Sequence, residues 1–430
     1  MSDAFAPNTV LHSVKGQEIR VDCHCSEGSR LAVYDVTVNG EKKQLRWFKE
    51  SFGWERLERL WNSTHEKMEA GVPGRFVFWP EDMTELSEHG FGYVTRPDMK
   101  DGISFREVLD GRYTFSSIGE RINVGLNLAL ALYQLHNTGY CLENNCTEFW
   151  FSTRNSSVLF PETESIVPIG SSKESAAEKY CPPELLLRQS PSGVESDRYG
   201  LAMCLFLLLC GSHPLEGMRH LVPVLTPEVE QRLYAEEPLF LFDRENGENR
   251  PHPVIHRGVE GKWNGIPGYV QELFHRTFGQ QGLQDPASRP SEGEWIAALC
   301  CMKNDRISCA CGREIIGWEK AGCTCSRCGK PVPRIARLVF PAFVMPLVKG
   351  RKVYRCFLGA ENPMVMPQPV AVVVEDEQRP GNLRLKNLGN EWTAYTPSGA
   401  EKKVQREETV PVMPGITIFM EGTETKIETN

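Results

Sequence analysis

The spacing of hydrophobic residues predicts several strands and helices in the first three hundred residues. Residues 10–39 contain short apolar stretches separated by glycines, which is typical of strands joined by turns. Helical spacing follows over residues 55–70 and ends at Gly71, and a longer helix is predicted over residues 115–136. Residues 197–210 are mostly apolar, as expected of a helix buried inside a large domain. This mixture predicts an α+β domain.

The pattern changes after residue 300. Residues 305–333 are few and rich in cysteine and glycine, so they cannot form a hydrophobic core unaided. Residues 334–430 alternate apolar and polar positions between turns at Gly381, Gly399 and Gly415, which predicts an all-β module. The predicted domains are residues 1–300, residues 301–333 and residues 334–430.

Charge and composition exclude some classes of function. The net charge of −8 argues against a general nucleic-acid or membrane-surface binder, because phosphate-seeking surfaces are usually basic. The longest apolar run, residues 201–210, is about half the length that a membrane span needs. No secretory signal is recognised at the N-terminus. Fifteen cysteines with one dense cluster indicate a reducing compartment and a metal site, so we expect a cytoplasmic protein.

Three motifs occur in the order found along a protein kinase. Residues 180–184, Tyr-Cys-Pro-Pro-Glu, resemble the end of an activation segment. The sequence Glu-Ser-Asp-Arg-Tyr-Gly then places Asp197 at the start of the buried apolar helix, and Ser-Arg-Pro-Ser contains Arg289. The resemblance implies that Asp197 caps backbone N–H groups of the catalytic loop. It also implies that Arg289 pairs with Glu184 and ties together the two halves of the large lobe.

A more specific resemblance is to bacterial Ser/Thr protein kinase-like proteins encoded beside a von Willebrand A-domain protein and a metal-dependent protein phosphatase. It is carried by Phe-Val-Phe-Trp-Pro at 76–80, Gly-Phe-Gly-Tyr-Val at 90–94 and Phe-Leu-Phe-Asp at 240–243. The similarity covers about residues 10–300 and implies a bilobal protein-kinase-like fold. It also implies that the two neighbouring proteins are partners of this chain.

The residues that a kinase needs for chemistry are replaced. Phosphoryl transfer uses a strand lysine on the phosphates, a catalytic Asp, and an Asp and an Asn as metal ligands. The motif Leu-Arg-Trp-Phe puts Arg46 at the lysine position. Aligning Gly139 with the entry to the family's catalytic loop puts Asn144 at the catalytic base and Phe149 at the metal-binding Asn. An amide does not accept a proton as a carboxylate does, and a phenyl ring cannot bind magnesium.

Two further segments lack expected residues. Residues 165–173 carry no carboxylate where the magnesium-binding Asp is expected, and residues 23–30, predicted to cover the nucleotide, have the single glycine Gly28. These losses weigh against bound ATP and magnesium. They predict a pseudokinase that serves as a scaffold or allosteric regulator in a bacterial signalling or stress system. Two alternatives stay open: a Ser/Thr kinase with displaced residues, using Glu143 or Glu148 on a metal, and a switch that binds ATP without turnover.

Two cysteine knuckles predict a zinc ribbon. Each ends in Cys-Gly, and the predicted ligands are Cys309, Cys311, Cys325 and Cys328, with Cys323 as an alternative to one of them. The glycines let backbone N–H groups turn toward metal-bound sulfurs. Four protein ligands leave no position for water, which predicts a structural rather than a catalytic zinc.

Cys23, His24 and Cys25 raise the question of a second metal site. They fall within a predicted strand, where successive side chains point to opposite faces. We interpret them as alternating positions on a strand edge, with a ligand role as the alternative.

The C-terminal module resembles a forkhead-associated-like sandwich. Residues 380–387, residues 390–392 and residues 414–418 carry this resemblance. Such folds can bind phosphothreonine through Arg, Ser and His side chains on loops. The usual Ser-x-x-His element is absent, and His275 is the last histidine of the chain. The module is therefore predicted to be a protein-docking or structural domain.

Overall fold

The computed structural model describes most of the chain in two compact units. The first unit comprises residues 1–114 and 137–171, and the second comprises residues 115–136 and 172–430. These units do not coincide with the three predicted domains, which stay a prediction about organisation. The described residues are 5–27, 31–49, 53–71, 76–97, 99–143, 146–161, 163–171, 179–316, 324–325, 327–332, 335–341, 343–358 and 368–429.

A six-stranded antiparallel sheet forms much of the first unit. Its strands are β1 (Val10–His12), β2 (Glu18–Glu27), β3 (Leu31–Val38), β4 (Glu41–Lys49), β5 (Asp82–Met83) and β6 (Gly90–Thr95). They lie in the order β1-β2-β3-β4-β6-β5. Asn39 and Gly40 join β3 to β4 with φ angles of 51° and 83°, the left-handed backbone that tight hairpin turns require.

The two faces of this sheet differ in chemistry because side chains alternate along each strand. One face is apolar and includes Tyr34, Leu45 and Val94, which lie in one buried cluster. The opposite face carries Val33, Asp35, Gln44 and Arg46, since Asp35 pairs with Gln44 and Val33 pairs with Arg46 across β3 and β4. We refer to these four residues as the Arg46 face.

Helix α1 (Trp54–Ala70) follows the strand that carries Arg46 and confirms the helix predicted over residues 55–70. It ends at Gly71, whose φ of 61° is the left-handed cap that glycine adopts without strain. Leu57 and Met68 of the helix pack in a buried cluster with Phe48 of β4 and neighbouring apolar residues.

The rest of the first unit is made of short elements. β8 pairs with β11, and β9 lies between β7 and β10, all antiparallel. The β9–β10 hairpin therefore lies in the sequence between β8 and β11, which pair with each other. These elements are β7 (Gly102–Ser104), α2 (Phe105–Leu109), β8 (Tyr140–Leu142), β9 (Trp150–Ser152), β10 (Val158–Leu159) and β11 (Ile166–Pro168).

The second unit begins with helices around one buried helix. They are α3 (Ile118–Asn137), α4 (Pro183–Leu186), α5 (Val194–Cys210), α6 (Pro227–Gln231), α7 (Val259–Asn264), α8 (Gly268–Phe278), α9 (Gln280–Gln284) and α10 (Glu292–Asn304). Helices α3 and α5 confirm the helices predicted over residues 115–136 and 197–210. Every residue of α5 from Tyr199 to Cys210 is buried, as its apolar sequence predicts. Within the described residues, no helix combines the length and the apolar character needed to cross a membrane.

Strands dominate the end of the second unit and confirm the strand content predicted for residues 334–430. β12 and β13 form a short hairpin, and the remaining strands form two antiparallel sheets with the orders β15-β14-β23-β22-β19-β20 and β16-β17-β18-β21. Face-to-face packing of these sheets as a sandwich stays a prediction. The strands are β12 (Ile307–Ser308), β13 (Glu314–Ile315), β14 (Ala336–Val339), β15 (Val344–Pro346), β16 (Lys352–Tyr354), β17 (Pro369–Glu375), β18 (Leu383–Asn387), β19 (Trp392–Tyr395), β20 (Glu401–Val404), β21 (Thr409–Pro411), β22 (Thr417–Met420) and β23 (Thr423–Thr429).

Candidate functional site

Arg46 is buried against an aromatic ring. Its side chain is only 6% exposed, and its guanidinium carbon lies 4.2 Å from the centroid of the Phe78 ring. A cation over a ring face is attracted by the negative potential of the π electrons. Phe78 is itself fully buried. The side chain at the predicted lysine position is therefore packed into the first unit.

The buried face of α1 carries a lysine and no acid. Kinases pair the strand lysine with a glutamate of the helix that follows it. The buried residues of α1 are Leu57, Thr64, Lys67 and Met68. The buried face of α1 therefore presents a lysine to the interior of the first unit and no carboxylate.

Lys67 lies in the interior of the first unit, where it forms hydrogen bonds that involve backbone carbonyls and is influenced by the charges of two glutamates. Its ammonium donates a hydrogen bond to the carbonyl oxygen of Thr163 at 2.7 Å, and its own carbonyl accepts one from the Trp79 indole at 2.8 Å. Burial lowers the pKa of Lys67 to about 8, although the charges of Glu164 and Glu143 act in the opposite direction. The sequence analysis did not identify this residue, and a charged position on the apolar stripe of α1 is the signal that could have found it.

Phe149 lies in the core at the predicted metal-ligand position. The side chain is fully buried and stacks on Phe105 with ring centroids 4.6 Å apart and planes 17° apart. Its carbonyl oxygen accepts a hydrogen bond from the backbone N–H of Phe105 at 2.8 Å. The residue thus anchors the segment between β8 and β9 to the start of α2, and its ring provides no metal ligand.

A carboxylate, that of Glu164, immediately precedes the carboxylate-free residues 165–173. Residues 166–168 form β11, so the connection from the β9–β10 hairpin precedes them and includes Glu164. A Glu164 carboxylate oxygen lies 3.5 Å from the Tyr93 hydroxyl, and its charge favours protonated Lys67. The carboxylate-free interval is therefore a weaker sign of lost metal binding than the sequence indicated.

Several predicted positions lie outside the described residues. These are Asn144 at the predicted base, Gly28 in the predicted nucleotide loop, residues 172–178 and the alternative zinc ligand Cys323. Their roles remain predictions from the sequence. Glu148, considered as a displaced metal ligand, lies in the described loop immediately before Phe149.

Glu184 and Arg289 form a buried ion pair within the second unit. The guanidinium donates two hydrogen bonds to the two carboxylate oxygens, at 2.6 and 2.9 Å, and it is fully shielded from solvent. Arg289 also donates to the carbonyl oxygens of Gly282 and Glu195. One side chain therefore links α4, α5 and α9. This is the contact that the kinase resemblance implies for these two residues.

Asp197 belongs to a second buried charge network, which the sequence analysis did not anticipate. Its carboxylate lies 2.8 Å from Nε2 of His136 at the end of α3, and Nδ1 of the same ring lies 3.2 Å from Glu292. Burial lowers the pKa of His136, but the hydrogen bonds to Asp197 and Glu292 outweigh it and raise the pKa to about 9. Arg198 also contacts Glu292 at 3.1 Å. The start of α5 is thereby joined to α3 and α10.

The four predicted zinc ligands converge in space. Their sulfur atoms all lie within 4.8 Å of one another, with 3.6 Å between Cys309 and Cys328 and 3.6 Å between Cys311 and Cys325. Such spacings are too long for disulfide bonds, and they suit four thiolates around one ion with metal–sulfur bonds of about 2.3 Å. This group could hold a metal ion.

Backbone geometry at the cysteines matches that of two metal-binding knuckles. Gly312 and Gly329 adopt φ angles of 83° and 69° and donate backbone hydrogen bonds to the carbonyl oxygens of Cys309 and Cys325, both at 2.8 Å. Backbone N–H groups of Cys328 and Arg327 lower the pKa of the Cys325 thiol to about 6. The fold thus stabilises a thiolate at this position, which is the form that binds metals.

Comparison with known proteins adds little to this picture. No family model matches the chain, and no curated protein matches it. Among solved structures, it is similar to the crystal structure of the PknI kinase domain of Mycobacterium tuberculosis, with 16% sequence identity and a TM-score of 0.44. The similarity covers 69% of this chain and 98% of that chain.

Proposed function

We propose that this protein is a catalytically inactive kinase-like protein that acts as a scaffold or allosteric regulator in a bacterial signalling system. The observation that supports the proposal is the packing of side chains where the kinase resemblance predicts catalytic residues. Arg46 lies over the Phe78 ring, Lys67 occupies the buried face of α1, and Phe149 stacks on Phe105. Restoring transfer would require rebuilding a core as well as replacing single residues.

The buried charged contacts of the second unit, in contrast, match the packing role that the kinase resemblance implies for Glu184, Asp197 and Arg289, which supports this proposal. The buried pair of Glu184 and Arg289 and the network of Asp197 maintain the helices of the second unit. Phosphoryl transfer depends on lysine, acid and metal ligands rather than on these packing contacts. A chain that keeps the packing contacts and lacks the lysine, acid and metal ligands is suited to presenting surfaces to other proteins. In this proposal its partners are a von Willebrand A-domain protein and a metal-dependent protein phosphatase.

We further propose that the metal held by the four cysteines is structural zinc. Cysteine thiolates and tetrahedral geometry favour zinc over magnesium or calcium, which prefer oxygen ligands. Cys309 and Cys311 follow β12, and Cys325 and Cys328 form the second knuckle, so an ion would connect two segments with little apolar core. The double variant Cys325→Ser, Cys328→Ser should contain one zinc per molecule fewer than the wild type, as measured by elemental analysis of the purified protein. An unchanged zinc content would contradict the assignment.

Nucleotide binding and transfer provide the test of the main proposal. The full chain is titrated with ATP, with and without magnesium, while its thermal unfolding is followed, and labelled ATP reports autophosphorylation. A ligand at one hundred times its Kd would stabilise the fold by about 2.7 kcal/mol, which is readily measured. We expect neither a thermal shift nor transfer. A shift without transfer would instead favour a switch that binds ATP without turnover.

One observation favours the alternative of a kinase with displaced residues. Glu143 and Glu164 lie near enough to Lys67 to influence its pKa, so acids and a base do meet in the first unit. The alternative predicts magnesium-dependent transfer that either Glu143→Ala or Glu164→Ala abolishes. Glu69→Ala, at an exposed position of α1, serves as the matched control. Transfer with this dependence would replace the scaffold proposal.

A further inference from the structure

Strand β2 does not follow a simple alternation where it carries its two cysteines. Cys23 pairs with Asp35 of β3 and His24 pairs with Tyr34, but the register shifts on both sides of this segment, at Asp22 and at Cys25. Each shift places an extra residue on β2. Such β-bulges bend a strand and change the directions of its side chains. The expectation of plain alternating positions therefore fails here, because Cys25 is moved out of the regular pattern.

The result is a compact group of three potential ligands. The sulfur atoms of Cys23 and Cys25 and one carboxylate oxygen of Asp35 all lie within 4.8 Å of one another. The Cys23 sulfur lies 3.8 Å from Oδ2 of Asp35. Both cysteines are exposed, so an ion can reach them directly from solvent. Neither thiol is paired in a disulfide.

The carboxylate of this group is oriented by a buried amide. Gln44, only 4% exposed, donates from Nε2 to Oδ1 of Asp35 at 3.1 Å. This bond occupies one oxygen and directs the other toward the cysteines, which is how supporting residues orient metal-binding carboxylates. By contrast, the nearby Asp22 is neutralised by Lys42 at 2.9 Å. Among the described residues, no lysine or arginine forms an ion pair with Asp35.

We propose that Cys23, Cys25 and Asp35 bind a zinc ion that is separate from the ion of the four-cysteine cluster. Two thiolates and one carboxylate are ligands that zinc accepts, whereas magnesium and calcium avoid sulfur. Each thiol that becomes a ligand releases its proton to water. Three protein ligands leave the fourth tetrahedral position to water or to a group from another molecule.

The proposed zinc site lies on the Arg46 face of the six-stranded sheet. Asp35 and Gln44 belong to the Arg46 face, and Cys23 pairs with Asp35 on the neighbouring strand. The zinc site therefore lies on the same face of the sheet as the residue at the predicted lysine position. A kinase uses its glycine-rich strand pair to cover phosphates. In this chain the corresponding strand pair would bind a cation.

Metal stoichiometry of the full chain tests the proposal. The protein is purified anaerobically under reducing conditions without added metal and is then loaded with zinc in the presence of a chromophoric chelator. Bound zinc is measured by elemental analysis. The double variant Cys23→Ser, Cys25→Ser is expected to hold one zinc per chain fewer than the wild type, and Asp35→Asn is expected to bind the same zinc more weakly.

The controls separate this site from the cluster and from unfolding. Asp22→Asn changes a neighbouring carboxylate that already has a lysine partner, so its zinc content should equal that of the wild type. The Cys325→Ser, Cys328→Ser variant should lose its own ion and keep this one. Equal zinc content in the wild type and the Cys23, Cys25 variant would overturn the proposal. A disulfide between these two cysteines in the anaerobic protein would overturn it as well.

Discussion

Phe149 and Phe105 stack in the interior of the first unit, and neither side chain is exposed. Arg46 and Phe78 form a comparable buried contact. Removing either aromatic partner would leave a cavity or an uncompensated polar group, both of which are costly inside a protein. At the scale of single residues, these positions therefore support the fold.

Replacing Phe149 by asparagine should destabilise the protein without restoring catalysis. The loss of a buried aromatic ring costs about 3–5 kcal/mol, and the buried amide adds an unpaired polar group. Urea unfolding measures the change, and a transfer assay is run on the same sample. Phe149→Leu is the control and should lose less stability because it keeps an apolar side chain. A Phe149→Asn variant as stable as the wild type would contradict the packing role.

Lys67 should make stability rise with pH between about 8 and 10.5. Its folded pKa is lowered to about 8 by burial, so in this window the unfolded chain binds the extra proton. Deprotonation therefore favours the folded state as the pH rises, by up to about 3 kcal/mol at 1.36 kcal/mol for each pKa unit.

The measurement compares the free energy of unfolding of the wild type and Lys67→Met at several pH values. Other groups titrate in both proteins and cancel in the difference. The advantage of the methionine variant should be largest below pH 8 and shrink toward pH 10.5. A difference that does not depend on pH would show that Lys67 has an ordinary pKa.

Two buried charge networks join elements of the second unit. Arg289 contacts α4 through Glu184, and water does not compete for this contact because the arginine side chain is fully buried. His136 joins α3 to α5 and α10 through Asp197 and Glu292. Both networks connect elements that are far apart in the chain, so their loss should affect several helices together.

Removing one partner of the Arg289 pair should be strongly destabilising. Glu184→Gln leaves the guanidinium buried without its counter-charge, which costs about 3–5 kcal/mol. The matched control is Arg244→Ala, which breaks a pair with Glu272 whose side chains are 61% and 51% exposed. Its cost should be below about 1 kcal/mol. Chemical denaturation gives both values, and equal losses in the two variants would contradict this account.

The molecule as a whole groups its C-terminal strands with the helices of the second unit. Arg351, just before β16, donates to the carbonyl oxygen of Lys303 at 2.9 Å and also to that of Arg306. Glu314 of β13 accepts a hydrogen bond from the backbone N–H of Gly119 at 2.9 Å. These contacts cross the boundaries predicted at residues 300 and 333, so we expect the helices and the C-terminal strands to unfold cooperatively.

Hydrogen exchange in increasing denaturant checks this expectation. Peptides from α5 and β17 should lose protection over the same range of denaturant concentration in the wild type. Arg351→Ala, which removes two hydrogen bonds from a charged donor, should lower the stability of the β17 peptides by about 1–3 kcal/mol. Lys349→Ala is the control, since Lys349 is 67% exposed in its pair with Glu375. Separate transitions in the wild type would favour the three predicted domains.

Local signals in the chain were enough to predict much of the secondary structure. The glycine at 71 marks the end of α1, the apolar run of α5 marks a buried helix, and the paired Cys-Gly knuckles mark the four-cysteine group that could hold a metal ion. Each depends on neighbours within a few residues, so its physical cause is present in the local sequence. The chemistry of Arg46 and Phe149 was also visible in the sequence, because the identity of a side chain does not depend on the fold.

Contacts between distant residues were decided only in three dimensions. Lys67 bonds Thr163 across 96 positions, and Arg289 bonds Glu184 across 105, so no local period reports them. The register shifts that bring Cys23 and Cys25 to Asp35 depend on how two strands pair rather than on either strand alone. Burial is also decided by the tertiary structure, because it lowers the pKa of Lys67 and makes Phe149 a core residue.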